Sequence, residues 1–190
     1  MERLQSAYDI CITYRHFPLH PETPEAGITL EELFAGRNID VPTAQARMAN
    51  LMVEEGLPYG KRTMTYNSRP AQELAKWAET HSGGERIHDA LFRAYFVENM
   101  NLAKIDNLIV ITERIGLPAS EAEKVLRERQ FREAVDSDWQ RSRELGITGV
   151  PTIVVGNQGL VEAQSYEQLE ALVMSVGAQR RPRNPSILGD

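Results

Sequence analysis

The stretch GITGVPTIVVGNQGLVEAQSYEQLEALV, residues 146–173, places a proline in front of two short strand-like runs and a helix. Residues 152–155 and 160–163 are rich in apolar and β-branched types, and the Gly/Asn-containing segment between them favours a tight turn. Ser165 and Gln168 have the spacing of a capping box. The apolar positions that follow share one helical face: Leu169, Leu172, Val173 and Val176. We therefore predict a β-hairpin followed by a helix.

Pro151 directly precedes the first of these strands. Proline has no backbone N–H, so within sheets it is confined to the first residue of a strand, to an edge or to a bulge. The bond before a proline is also the peptide bond that adopts cis at low cost. The residues alone leave two interpretations open, an ordinary strand start and a shaped backbone feature.

Upstream of residue 146 the pattern is mainly helical. Thr29 and Glu32 form a capping box ahead of a short helix that ends at Gly36. Apolar spacing, prolines in first turns and terminal glycines predict further helices at about residues 42–55, 69–81, 85–99, 107–115 and 132–145, with one more starting at a capping box of Ser120 and Glu123. In the helix at 42–55, one face carries Ala44, Met48, Leu51 and Met52.

The segment YDICITYRHF, residues 8–17, alternates Ile10, Ile12 and Tyr14 with more polar neighbours, which predicts a strand. The predicted order is thus a strand, a long helical block, a hairpin and a final helix. This order indicates an α/β fold that contains a large all-helical insertion.

Composition excludes several classes of function. A formal charge of −6 on 190 residues argues against a nucleic-acid partner, because binding phosphates needs a positive surface. No apolar run is long enough to cross a membrane, and the N-terminus lacks the pattern of a secretory signal. The single cysteine cannot form an internal disulfide. We therefore expect a cytoplasmic protein without a membrane or nucleic-acid partner.

Several segments together resemble the DsbA family of thiol–disulfide oxidoreductases in its FrnE-like branch: YRHFPLHPETPEAGITLEELF (14–34), NSRPAQELAKWA (67–78), HDALFRAYFVENMNLAKIDNLI (88–109) and EAVDSDWQRSRELGITGVP (133–151). The resemblance covers about residues 8–176 and implies a thioredoxin-like fold with a helical insertion. It places the thioredoxin-like domain, incomplete at its N-terminus, at residues 1–28 and 140–178. Residues 29–139 would form the inserted helical domain and residues 179–190 a flexible tail.

The same resemblance implies a binding site. In such folds the loop that carries a cis-proline forms the wall opposite the redox-active residues, so Val150, Pro151 and Thr152 would bind substrate and the Val150–Pro151 bond would be cis. The implied partner is a thiol- or disulfide-containing protein or peptide, or glutathione, with a homodimer as one open option. No cofactor is implied.

The chain departs from the family at the redox motif. It has no Cys-x-x-Cys, and Cys11 lies in the predicted strand, where we expect a small buried core residue. One cysteine cannot complete an intramolecular dithiol cycle, so dithiol exchange by this chain is expected to be absent. We expect the reading frame upstream of Met1 to encode the missing first strand, the active-site loop and most of the first helix.

Two alternatives remain open from the sequence. One is an enzyme similar to glutathione-dependent 2-hydroxychromene-2-carboxylate isomerases, in which a serine replaces the first cysteine. The other is a non-catalytic thioredoxin-fold binding module. The histidines are not spaced as metal ligands on one helix. We interpret Trp77, Phe92, Tyr95 and Phe96 as core residues of the inserted helical domain.

Overall fold

The computed structural model describes residues 1–156, 158–161 and 164–182. Helices in this part of the chain are α1 Glu2–Ala7, α2 Leu30–Leu33, α3 Val41–Glu54, α4 Arg69–Ala78, α5 Arg86–Phe96, α6 Ile105–Arg114, α7 Ala119–Arg127, α8 Arg132–Glu144 and α9 Tyr166–Ser175. Strands are β1 Ile28–Thr29, β2 Met64–Thr65, β3 Thr152–Val155 and β4 Gln158–Val161. β1 pairs with β2 and β3 with β4, both antiparallel. The predicted hairpin and helical block both form, but the second hairpin strand begins at Gln158 instead of residue 160, and residues 162–163 of the predicted strand lie outside the described residues.

The chain forms two compact units. The first combines Met1–Phe17 with Gln140–Asp190, and the second is Pro18–Trp139. The division therefore falls within α8 and just after the N-terminal segment. The boundaries that we predicted from the sequence are 28/29 and 139/140.

The second unit has a helical core built from α4 to α7. Its largest fully buried side chain is Trp77, whose Nε1 donates a hydrogen bond of 3.0 Å to Glu121 Oε1. The helix α5 buries Ile87, Leu91 and Ala94, which are spaced i, i+4 and i+7 along one face. Phe92 lies off that face and is 59% exposed, so our assignment of Phe92 to the core is wrong.

A group of charged side chains joins the start of α8 to α4 in this unit. The carboxylate of Glu73 is almost fully buried and bonds Arg69 Nε at 2.7 Å and Arg129 Nη2 at 2.6 Å. Arg69 also contacts Asp136 Oδ1 at 2.8 Å and donates to the Arg132 carbonyl at 2.8 Å. The hydrogen bond from Arg69 holds the pKa of Asp136 below its ordinary value, with the charges of the neighbouring arginines adding to the effect.

Two of the three predicted capping boxes form. Thr29 with Glu32 and Ser165 with Gln168 make both reciprocal bonds at the starts of α2 and α9. The box predicted for Ser120 and Glu123 does not form, because α7 already begins at Ala119 and places Ser120 inside the helix.

The first unit packs α1 against α9 around Leu4, Tyr8 and Val173. Tyr8 is completely buried, and its hydroxyl donates a 2.9 Å hydrogen bond to Glu170 Oε1. Burial, and then the hydrogen bond to this carboxylate, raise the pKa of Tyr8 above its ordinary value. The residue therefore stays neutral and fastens the two helices to each other.

The strand predicted at residues 8–17 does not form, and that prediction is wrong. Within this segment only Tyr8 makes a β-bridge, and its partner is Arg180. Beside this bridge, Asp9 N–H donates to the Gln179 carbonyl and Arg181 N–H donates to the Ala7 carbonyl. A strand exists only where a neighbour completes its hydrogen-bond ladder, and residues 10–17 belong to no strand or β-bridge in the described part of the chain. Residues 179–181, which we predicted to lie in the flexible tail, thus bond to the N-terminal segment, while 183–190 lie outside the described residues.

Candidate substrate-binding loop

The end of α8 fixes the loop that leads into β3. Gly146, with φ 64°, donates its N–H to the Arg143 carbonyl, and Ile147 N–H donates to the Ser142 carbonyl at 2.9 Å. A glycine with positive φ at this point is the usual way to end a helix and turn the chain. The loop that follows, residues 146–151, therefore starts from a fixed helix end.

The loop closes on itself next to the predicted site. The hydroxyl of Thr152 donates a 2.7 Å hydrogen bond to the Gly149 carbonyl, and the Val150–Pro151 peptide bond between them is cis. The hydrogen bond between Thr152 and Gly149 holds residues 149–152 as one compact turn. Thr152 also pairs with Val161 in the hairpin. Our sequence analysis did not identify Gly149 as part of this turn. The threonine three residues after this loop glycine could have indicated the hydrogen bond, because threonine hydroxyls often bond to nearby backbone groups.

Val150 is the open point of this turn. The residue is 47% exposed, and neither its N–H nor its C=O forms a hydrogen bond with another described residue. The strand β3 that follows pairs only with β4 in the described part of the chain, so its second edge is also open. Unpaired N–H and C=O groups in extended backbone can pair with another extended segment.

Cys11 is exposed rather than buried, so our expectation of a core position is wrong. The reason is the missing ladder, since residues 10–17 lie outside any sheet of the described chain and their side chains do not alternate into a sheet interior. Cys11 is the single cysteine of the chain. No second thiol of this sequence is therefore available beside it.

Other classes of site are not supported by the described residues. Among them, no group of three or more His, Cys, Asp or Glu side chains could hold a metal ion. Over the same residues no helix has the length and apolar character needed to cross a membrane.

Comparison with protein families gives a match to the DSBA-like thioredoxin domain over residues 1–173. This chain belongs to the DSBA-like thioredoxin domain family. The match extends over both compact units and includes the hairpin and its loop. The predicted fold class, a thioredoxin-like α/β fold with a helical insertion, is thereby confirmed.

Similar proteins agree with this family. The crystal structure of a probable DsbA oxidoreductase, SCO1869 from Streptomyces coelicolor, is 28% identical and has a TM-score of 0.76, covering 90% of this chain and 76% of that one. The cytosolic disulfide reductase DsbM from Pseudomonas aeruginosa, solved with GSH, shares the fold at 21% identity and a TM-score of 0.53, covering 69% of this chain and 72% of its own. Uncharacterized protein YwbO from Bacillus subtilis (strain 168) is 24% identical over 98 residues, or 51% of this chain and 49% of YwbO. The chain thus aligns with about half the length of this curated relative.

Proposed function

We propose that this family member acts in thiol–disulfide exchange by holding a thiol- or disulfide-containing peptide, glutathione included, against Val150, Pro151 and Thr152. The observation that carries the proposal is that Val150 is exposed and that its backbone N–H and C=O form no hydrogen bond with another described residue. Its N–H can donate to, and its C=O can accept from, the main chain of an extended peptide. Thr152 supports this loop through its bond to Gly149.

The chemistry that such a loop serves is exchange between a thiolate and a disulfide. The thiolate attacks one sulfur, a mixed disulfide forms, and the other sulfur leaves as a thiolate. A peptide held by its backbone beside the disulfide cannot turn away during this step, which favours attack at one sulfur. The loop therefore positions the ligand and takes no part in the exchange of bonds between the sulfur atoms.

Two features define the role of this chain more narrowly. Its single cysteine favours a binding role over an intramolecular dithiol cycle, as in a non-catalytic thioredoxin-fold module. The GSH in the solved DsbM complex supports glutathione as the ligand with which to begin. Assignment to the FrnE-like branch and a cytoplasmic location remain predictions from the sequence.

The backbone contact can be tested by calorimetric titration with oxidised glutathione. Replacing Val150 by Pro removes the N–H donor, and the loss of one hydrogen bond should weaken binding about tenfold. Val150→Ala keeps both backbone groups and serves as the matched control, with an affinity within about threefold of the parent protein. Circular dichroism checks that both variants fold. Equal affinities for Val150→Pro and Val150→Ala would show that the Val150 N–H does not hold the ligand.

A further inference from the structure

The helix α3 buries none of its fourteen residues, although it is the longest helix in the described part of the chain. Met48 and Leu51 are each 45% exposed. A helix of about 12–15 residues is marginal in water unless an apolar face packs against something. The structure therefore leaves α3 with an apolar face that the described chain does not cover.

One side of α3 rests on its own chain. Val41, Gln45, Ala49 and Met52 are half-buried and follow the helical period. The Gln45 side chain fastens this side, since its Nε2 donates to the Arg62 carbonyl and its Oε1 accepts from Arg62 N–H at 3.2 Å. This contact fixes which side of the helix points away from the unit.

The free face lies next to that contact side. Ala44, Met48 and Leu51 are all exposed and spaced by four and three residues, as in the seam of two paired helices. Arg47 and Glu54 are seven residues apart and flank this seam on the same side. Neither forms an ion pair with another described residue.

We propose that this free face binds the same face of a second copy of the chain, with the two α3 helices antiparallel about a two-fold axis. In an antiparallel pair, flanking positions on the same side of the two helices face each other. Arg47 of one copy then meets Glu54 of the second copy, and the symmetry makes this attractive contact twice. In a parallel pair with the same symmetry, Arg47 of one copy would lie at the same height as Arg47 of the second copy, away from Glu54. The charge pattern therefore favours the antiparallel arrangement.

The size of the face indicates a weak dimer. Three apolar side chains on one helix bury far less area than the roughly 800 Å² per partner of a standard stable interface. We therefore expect association only at concentrations of about 10–100 μM or above. This inference does not depend on the proposed thiol–disulfide function, because it uses only residues of the second unit.

Sedimentation equilibrium with charge-exchange variants tests the proposal. Arg47→Glu and Glu54→Arg should each weaken association about tenfold, because two attractive contacts become repulsive. The double variant R47E/E54R exchanges the charges and should restore the dissociation constant to within about threefold of the parent protein. Ala46→Glu places the same new charge on an exposed residue about half a turn around α3 from the seam, and it should leave association unchanged.

The variants are expected to fold, because α3 has no buried side chain to disturb, and circular dichroism verifies this. Recovery in the double variant supports antiparallel pairing of α3. A protein that remains monomeric up to about 1 mM overturns the proposal. So does a dimer that Arg47→Glu weakens no more than Ala46→Glu, or one that the double variant does not restore.

Discussion

Replacing Arg69 by Met is expected to lower the free energy of unfolding by about 3 kcal/mol. The variant leaves Glu73, whose side chain is only 3% exposed, with the half-exposed Arg129 as its remaining cation. Breaking a buried ion pair by removing one partner costs about 3–5 kcal/mol. We expect the lower end of that range because Arg129 continues to neutralise Glu73. Urea-induced unfolding followed by circular dichroism measures the change.

The matched control removes the stranded charge as well. In the double variant R69M/E73L both buried partners are apolar, so most of the lost stability should return. A double variant as unstable as Arg69→Met would show that lost packing, such as the contact of Arg69 with the Trp139 ring at 4.6 Å, causes the loss instead.

The pH dependence of stability tests the same cluster of charged side chains around Arg69 independently. Because the folded protein holds the pKa of Asp136 below its ordinary value of 3.8, Asp136 stabilises the protein above that pH. This contribution is lost as the pH falls through the lowered pKa. In Arg69→Met the largest cause of the lowered pKa is gone, so the stability difference between parent and variant should narrow toward low pH.

The 190-residue chain is expected to show no catalysed reduction of insulin with dithiothreitol as electron donor. A dithiol cycle needs a second thiol to resolve the mixed disulfide, and Cys11 is the single cysteine. Its exposed position allows it to form a mixed disulfide with insulin, but only the added dithiothreitol can then attack that disulfide and release the product, so Cys11 provides no faster route than dithiothreitol alone. Turbidity should therefore rise at the uncatalysed rate.

Cys11→Ser is the control for this assay. It should follow the same time course as the parent chain, while both retain any affinity for oxidised glutathione that depends on the Val150 backbone. Turnover clearly above background in the parent, lost in Cys11→Ser, would contradict this account and assign Cys11 a catalytic role.

Features set by neighbouring residues could be predicted from the sequence. The capping boxes at Thr29 and Ser165, the glycine at 146 and the hairpin after Pro151 depend on residues a few positions apart. The short strands β1 and β2 escaped prediction because two residues each carry no detectable period. The family resemblance indicated Val150, Pro151 and Thr152 as a binding loop, but it did not predict the hydrogen bond from Thr152 to the Gly149 carbonyl.

Features that depend on distant partners could not be predicted. The alternating pattern at 8–17 is real, but strand formation needs a paired neighbour that the local pattern does not specify. The exposure of Cys11 follows from the same cause. In α3, the apolar spacing predicted a helix correctly, yet identical spacing occurs whether a helix packs inside its own domain or against another chain.

The central claim is that the loop around Val150 receives the peptide backbone of a thiol or disulfide ligand. The most direct test is a titration of ¹⁵N-labelled protein with oxidised glutathione, followed by the amide signals in NMR spectra. The account predicts that the largest shifts occur at the amides of Val150 and Thr152. Saturable binding whose shifts leave both of these amides unchanged, or the absence of any binding, would contradict it.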